Sequence, residues 1–316
     1  MTAARWLLTG ARGMLGRDLL AELTGGTGDA AAQVTALGRG DLDITDPEAV
    51  RAAVGGHDLV VNAAAWTDVD RAETEEAAAT AVNGAGVRNL AAACAATGAR
   101  LLHVSTDYVF AGEADSPYPE DAGTDPLNAY GRGKLAGERA VAELLPETGA
   151  VVRTAWLYGE HGGNFVATML RLAARRETLE VVDDQAGQPT WSRELAARLV
   201  ELGRRMQAGT APAGIYHGTA SGRTTWHGLA RAAFELAGLE PGRIRPTTAA
   251  AFSRPAPRPA FSVLGHDRWA AAGLPPLPDW RESLAEALRR PAFAELAEEA
   301  RLAAPALAAE PAPGRA

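Results

Sequence analysis

Five short apolar runs, at residues 5–9, 33–37, 58–62, 100–105 and 150–155, punctuate the first half of the chain. Between them lie alanine-rich stretches of helical length at residues 14–23, 47–54, 75–97 and 130–145. The runs are continuously apolar instead of alternating, which suits strands of a parallel sheet covered on both faces. Repeated β-α units of this length build a doubly wound sheet. The predicted fold class is therefore α/β, a Rossmann-like doubly wound parallel sheet.

After about residue 160 the alternation loosens, as expected where one domain gives way to another. Helices are expected over residues 164–175, 193–207, 224–237 and 279–290, separated by Gly- and Pro-rich loops. The stretch from Ser253 to Pro259 carries three prolines and is read as neither helix nor central strand, because proline lacks the N–H donor. A short strand at 214–218 is placed to return to the first sheet. The expected division is a dinucleotide-binding domain over 1–160 with returning segments near 214–220. A smaller, interleaved C-terminal substrate-binding lobe spans 161–290, and a flexible Ala/Glu/Pro-rich tail covers 291–316.

Composition removes several function classes. Thirty-one Lys and Arg against 39 Asp and Glu leave a net charge of −8, with no basic run, which argues against a nucleic-acid partner held by counterion release. One cysteine, Cys94, permits neither an intrachain disulfide nor a cysteine zinc cluster. No apolar stretch reaches the roughly 20 residues of a membrane span, and Trp6-Leu7-Leu8 is too short for a signal peptide. A cytoplasmic protein with no membrane partner is expected.

The first chemical motif is Gly10-Ala11-Arg12-Gly13-Met14-Leu15-Gly16, directly after a strand and opening a helix. Glycines there allow a tight turn and let a pyrophosphate approach the helix N-terminus. An ordinary Gly-rich turn has the same pattern, so the motif alone is moderate. The second strand ends Leu37-Gly38-Arg39-Gly40, without the acid that would bond a ribose 2′-OH. Arg39, with Arg12 as a second candidate, suits a 2′-phosphate, while Asp41 and Leu42 follow toward the adenine. NADPH is favoured, with NADH as the alternative. Asn62-Ala63-Ala64-Ala65 closes the third strand with small residues that leave room for a cofactor.

Tyr130-Gly131-Arg132-Gly133-Lys134 places a phenol and an ammonium at i and i+4, on one helical face. An adjacent ammonium is expected to draw the phenol pKa down from about 10. Such a tyrosine can protonate a carbonyl oxygen as hydride reaches carbon. Ser105 and Thr106, at the end of the fourth strand, offer hydroxyls to the same oxygen.

With these pieces in place, the chain resembles the extended short-chain dehydrogenase/reductases, and within them the dTDP-4-dehydrorhamnose reductase family. The likeness rests on the motifs above together with Trp66-Thr67-Asp68-Val69-Asp70, Ser105-Thr106-Asp107-Tyr108-Val109-Phe110, Arg153-Thr154-Ala155-Trp156-Leu157-Tyr158-Gly159, Asp184-Gln185-Ala186-Gly187-Gln188-Pro189-Thr190 and Arg258-Pro259. It runs from about residue 5 to about 290, and the later strings are narrower than the Rossmann pieces.

The resemblance implies reduction of the C4 ketone of dTDP-4-dehydro-L-rhamnose. Tyr130 would be the general acid, Lys134 its partner and ribose anchor, and Thr106 the hydroxyl orienting the carbonyl, with Ser105 as fallback. Asp107 and Trp156 match positions that touch the sugar. Gly13, Met14, Leu15, Asp41, Leu42, Ala63, Ala64 and Ala65 match cofactor positions, and the turn glycines Gly10 and Gly16 join them. Arg258 is read as a diphosphate clamp, since a guanidinium forms bidentate bonds.

Some family members dimerise through a magnesium held by glutamates. Here Arg17 stands where a carboxylate would serve, so no metal is expected and the protein is read as a monomer or homodimer. The six histidines lack metal-motif spacing, and of the seven tryptophans only Trp156 is given a functional reading. Three alternatives stand beside the main reading: a reductase of another dTDP-keto-deoxysugar, an NAD-retaining epimerase or dehydratase, and a non-catalytic cofactor-binding regulatory subunit.

Overall fold

A computed structural model describes residues 4–25 and 33–309. Strands β1 (Arg5–Thr9), β2 (Gln33–Leu37), β3 (Leu59–Asn62), β4 (Arg100–Thr106) and β5 (Gly149–Thr154) join the strand Gly214–His217 in one six-stranded sheet. Its order from one edge is Gly214–His217, β5, β4, β3, β1, β2, with every pairing parallel. Helices α1 (Met14–Thr24), α2 (Pro47–Val54), α3 (Val69–Thr74), α4 (Glu76–Thr80), α5 (Val87–Thr97) and α6 (Ala129–Leu144) connect the first five strands.

The two faces of the sheet explain the continuous apolar runs. Leu7, Val60, Leu101 and Val151 point to the face covered by α2, α5 and α6, among Val50, Val87, Leu90 and Val141. Their neighbours Trp6, Leu8, Val61, Leu102 and Val152 point to the opposite face. Successive strand residues alternate sides, so burial on both sides demands apolar residues throughout.

That second face holds a segment expected in the other lobe. Helix Ser192–Gln207 lies beside α1, with Leu195, Leu199, Leu202 and Met206 packed among Leu15, Leu19 and Leu23. A Cβ at Gly203 would stand 2.5 Å from the Trp6 ring, so only glycine lets the helix settle there. Trp269 reaches the same core. The lobes thus interleave more deeply than a return near residues 214–220.

The second lobe gathers helices Phe165–Ala173, Trp226–Leu236 and Trp280–Leu288 around its own core, beside the parallel pair Leu179–Val182 and Ile244–Thr247. Asn164, Thr225 and Asp279 lie just outside these helices and accept from the backbone N–H groups of the first turn. As caps they stand outside the helices, which therefore begin one or two residues after the expected 164, 224 and 279.

Two expectations are corrected. The tail expected from residue 291 is instead helix Pro291–Ala309, because Phe293, Ala297 and Ala300 share one face and bury it in the second core. Residues 310–316 of that expected tail lie outside the described residues. The single helix expected over 75–97 is interrupted by a π-helical turn, Ala81–Gly86, between α4 and α5.

Candidate active site

The functional candidates collect at the C-terminal edge of the sheet, where open α/β folds bind ligands. At the first turn Gly10 has φ +71°, and a Cβ there would press within 2.6 Å of the Ala63–Ala64 peptide. The glycine turn and the alanine turn therefore touch, which no side chain at Gly10 would allow. A Cβ on Gly16 would collide with the Gly10 carbonyl.

Gly13 caps α1 without any side-chain hydrogen bond, and the first turn carries no acid. By contrast α2 and α6 are capped by Asp46 and Asn128. The open N–H groups and positive dipole end of α1 fit a pyrophosphate.

The alanine turn is held from below. Asn62 Oδ1 accepts from Thr9 Oγ1 at 2.6 Å and from the Ala64 N–H at 3.1 Å, while its amide nitrogen meets His103 Nδ1 at 3.0 Å. Asn83, in the π-helical turn, brackets the Trp66 backbone with bonds of 2.9 and 3.0 Å. Sequence reasoning missed Asn83 and His103. An asparagine inside an Ala/Val-rich helix was the available signal for the first. A π-helical turn often marks such a functional spot.

At the adenosine end, Arg12 reaches Asp41 at 3.0 Å, and the other Asp41 oxygen accepts from the Gly38 N–H at 2.8 Å. Arg39 is exposed beside them, whereas Leu42 is buried in the core under α2. Arg12 thus packs on Gly38 at the end of β2, and Arg39 follows in the same turn.

Thr106 ends β4; from α6 Tyr130 hydrogen-bonds with it, and Lys134 reaches the same strand two residues earlier, at Val104. The Thr106 hydroxyl donates to Asp107 Oδ1 at 3.0 Å and accepts from the Tyr108 N–H at 3.2 Å. Ser105, expected as the fallback hydroxyl for the same oxygen, is corrected: it points the other way and donates to Glu138 in a buried cluster with Arg153. Strand alternation alone separates the two hydroxyls.

Burial pushes the Tyr130 phenol up to about 12, opposed by a hydrogen bond with Thr106. The expected lowering by Lys134 is therefore corrected. The ammonium donates instead to the Val104 carbonyl at 2.6 Å, and loss of solvent brings its own pKa down to about 8. Asp107 is raised to about 6, chiefly by burial, and its Oδ2 is buried without a partner among the described residues.

On the second-lobe side, Trp156 has φ +47°, the only positive φ of a non-glycine residue among those described. Its position follows from register: Thr106 pairs with Thr154 across β4 and β5, so Trp156 lies two residues past that pair. Arg258, expected as a diphosphate clamp, forms a two-armed bond to Asp70 and donates to the Ala256 carbonyl. Tyr108 stands edge-on to Tyr130, ring centres 6.0 Å apart.

A sequence model of the family described as the RmlD substrate binding domain matches residues 4–292. A dTDP-4-dehydrorhamnose reductase of Streptomyces griseus is 60% identical over 284 residues, 89% of this chain and 92% of that protein. A dTDP-4-keto-6-deoxy-D-glucose reductase of Streptomyces niveus is 52% identical over 90% of this chain and 96% of its own length. Among solved structures, a dTDP-4-dehydrorhamnose reductase of Clostridium acetobutylicum superposes with a TM-score of 0.83 at 38% identity, covering 90% of this chain and 98% of that one. The Bacillus anthracis reductase, solved in complex with NADP, has the same TM-score at 34% identity and covers 90% of this chain and 99% of its own. This chain belongs to the RmlD substrate binding domain family, that of the dTDP-4-dehydrorhamnose reductases.

Proposed function

We propose that the protein reduces the C4 ketone of dTDP-4-dehydro-L-rhamnose with NADPH, forming dTDP-L-rhamnose. The observation that carries this reading is the convergence of Thr106, Tyr130 and Lys134 at the sheet edge next to an uncapped helix N-terminus. The NADP complex of the B. anthracis relative, and Arg12 and the exposed Arg39 in the two turns that meet at the end of β2, support NADPH.

When bound, NADPH supplies the hydride that reaches C4. The chain supplies the proton and the positioning. Tyr130 is a neutral phenol across the working pH range, so it holds the proton that the new C4 alkoxide needs. Thr106 can turn its hydroxyl from Asp107 to the ketone oxygen, fixing that oxygen beside the phenol. The Lys134 ammonium would balance the phenolate left behind and would hold the ribose of the cofactor by donating to its hydroxyls. Gly10, Gly13 and Gly16 let the backbone approach the pyrophosphate, and Ala63, Ala64 and Ala65 leave space beside it.

Purified protein is mixed with dTDP-4-dehydro-L-rhamnose and NADPH, and absorbance at the dihydronicotinamide band is followed. Oxidation that needs both substrate and protein is expected. Its absence, with NADPH binding demonstrated, overturns the reading. The 52% identity to reductases named for other 4-keto-deoxysugars favours a second reading, the same reduction on a different dTDP-sugar. Comparing kcat/KM across these ketosugars decides between the two.

A further inference from the structure

Trp226 opens helix Trp226–Leu236, outside every motif that pointed to the site, yet its indole lies flat on Trp156. The ring centres are 3.6 Å apart and the planes 10° from parallel. Phe165 leans on the other partner, 4.7 Å from Trp226 and tilted 53°. Gly187 closes the arrangement: a Cβ there would come within 2.5 Å of Trp156 Cε2.

The stack surrounds a residue whose backbone is held at φ +47°. A tryptophan in that region is strained and persists only where its surroundings over-determine it. Those surroundings come from segments far apart in the chain: Phe165, Gly187 and Trp226. Trp156 itself remains partly exposed. A rigid, half-open aromatic, two residues past the Thr106–Thr154 pair, is suited to a sugar ring.

We propose that Trp226 is a positioning residue for substrate: its stacked ring holds Trp156 in the strained conformation that presents the indole to the hexose of the sugar nucleotide. The inference rests on the reductase reading for the identity of that hexose. Trp226 reaches the substrate only through Trp156. Its loss therefore weakens sugar binding and leaves the cofactor and proton-donating groups in place.

The test uses the full-length protein, with Trp226→Ala and Trp226→Phe. Trp226→Ala is expected to raise KM for the ketosugar about tenfold, the scale of one aromatic pair, with kcat and KM for NADPH within about twofold. Trp226→Phe, which still offers a flat ring, should recover most of the loss. In protein labelled with 5-fluorotryptophan, the Trp156 line, assigned by its disappearance in Trp156→Phe, should shift and broaden in Trp226→Ala.

An unchanged ketosugar KM in Trp226→Ala alongside a shifted Trp156 line overturns the proposal, as does a line that stays sharp and unmoved. A fall in thermal stability without recovery in Trp226→Phe also overturns it, since the ring would then matter only to packing. Failure of the reductase reading has a different signature: wild-type protein is inactive on every dTDP-4-ketosugar. In that case the proposal is read from dTDP-L-rhamnose titrations of the Trp156 line. It is overturned if that line does not respond in wild type.

Discussion

Asp70 and Arg258, 188 residues apart in the sequence, are joined by two hydrogen bonds of 2.8 Å each. The pair ties the first turn of α3, just after the alanine turn, to the proline-rich segment of the second lobe. Arg258 holds the Asp70 carboxyl below its usual range, and Tyr108 stands close enough to bond the same guanidinium. A planar fork held on one side by carboxylate is oriented for a second anion on the other.

Arg258→Ala is accordingly expected to raise KM for the dTDP-sugar roughly ten- to hundredfold, the range of charge-assisted hydrogen bonds, with a smaller change in kcat. Arg258→Lys should not restore it, because an ammonium cannot bond bidentately. Steady-state kinetics on both variants checks this; full rescue by lysine would remove the fork argument.

Tyr130→Phe should lower turnover at least about a hundredfold while NADPH still binds. With the phenol near 12 in the free protein, its ionisation does not limit reduction at neutral pH. Lys134 sets the basic limb instead: its folded pKa is near 8, so kcat/KM should decline as pH rises through that value. A profile flat to pH 10 would contradict the assignment.

Thr106 and Ser105 separate by variant. Thr106→Val is expected to cost roughly tenfold or more in kcat with little change in melting temperature. Ser105→Ala removes a donor from the Glu138–Arg153 pair and should lower thermal stability, by about 1–3 kcal/mol, with kcat retained. Thermal melts beside initial rates distinguish the two.

Asp107 links stability to pH with an unusual sign. Its carboxyl ionises near 3.8 when unfolded and near 6 when folded, so the folded state binds the extra proton between those values. Stability is lost as pH rises through this window, and above about pH 6 the buried charge costs about 3 kcal/mol. Asp107→Asn should therefore be more stable than wild type at pH 7.5 and lose that advantage by pH 4. Urea titrations at the two values test it, and an advantage that grows on acidification would refute the sign.

Cofactor choice is expected to rest on Arg39 and Arg12. Arg39→Ala should raise KM for NADPH roughly tenfold and leave KM for NADH nearly unchanged, since only the former carries the 2′-phosphate. Equal effects on the two cofactors would place Arg39 away from that phosphate.

Much of the frame follows from local pattern. Continuously apolar runs, alanine-rich connections and a glycine turn specify a two-sided parallel sheet, because each reflects a period or a backbone freedom that a few neighbouring residues decide. The same holds for the i, i+4 relation of Tyr130 and Lys134, whereas Ser105, read as a second hydroxyl for the same oxygen, turns to Glu138 instead. Contacts between distant segments decided the rest. Lys134 meets the Val104 carbonyl and Tyr130 is desolvated, so the expected phenol shift reverses. Arg258 finds Asp70, Trp226 finds Trp156, and residues 291–304 find a core to pack against. Burial and pairing are properties of the assembled chain. Local sequence carries the propensity of each segment, and only the tertiary structure decides what surrounds each charge and ring.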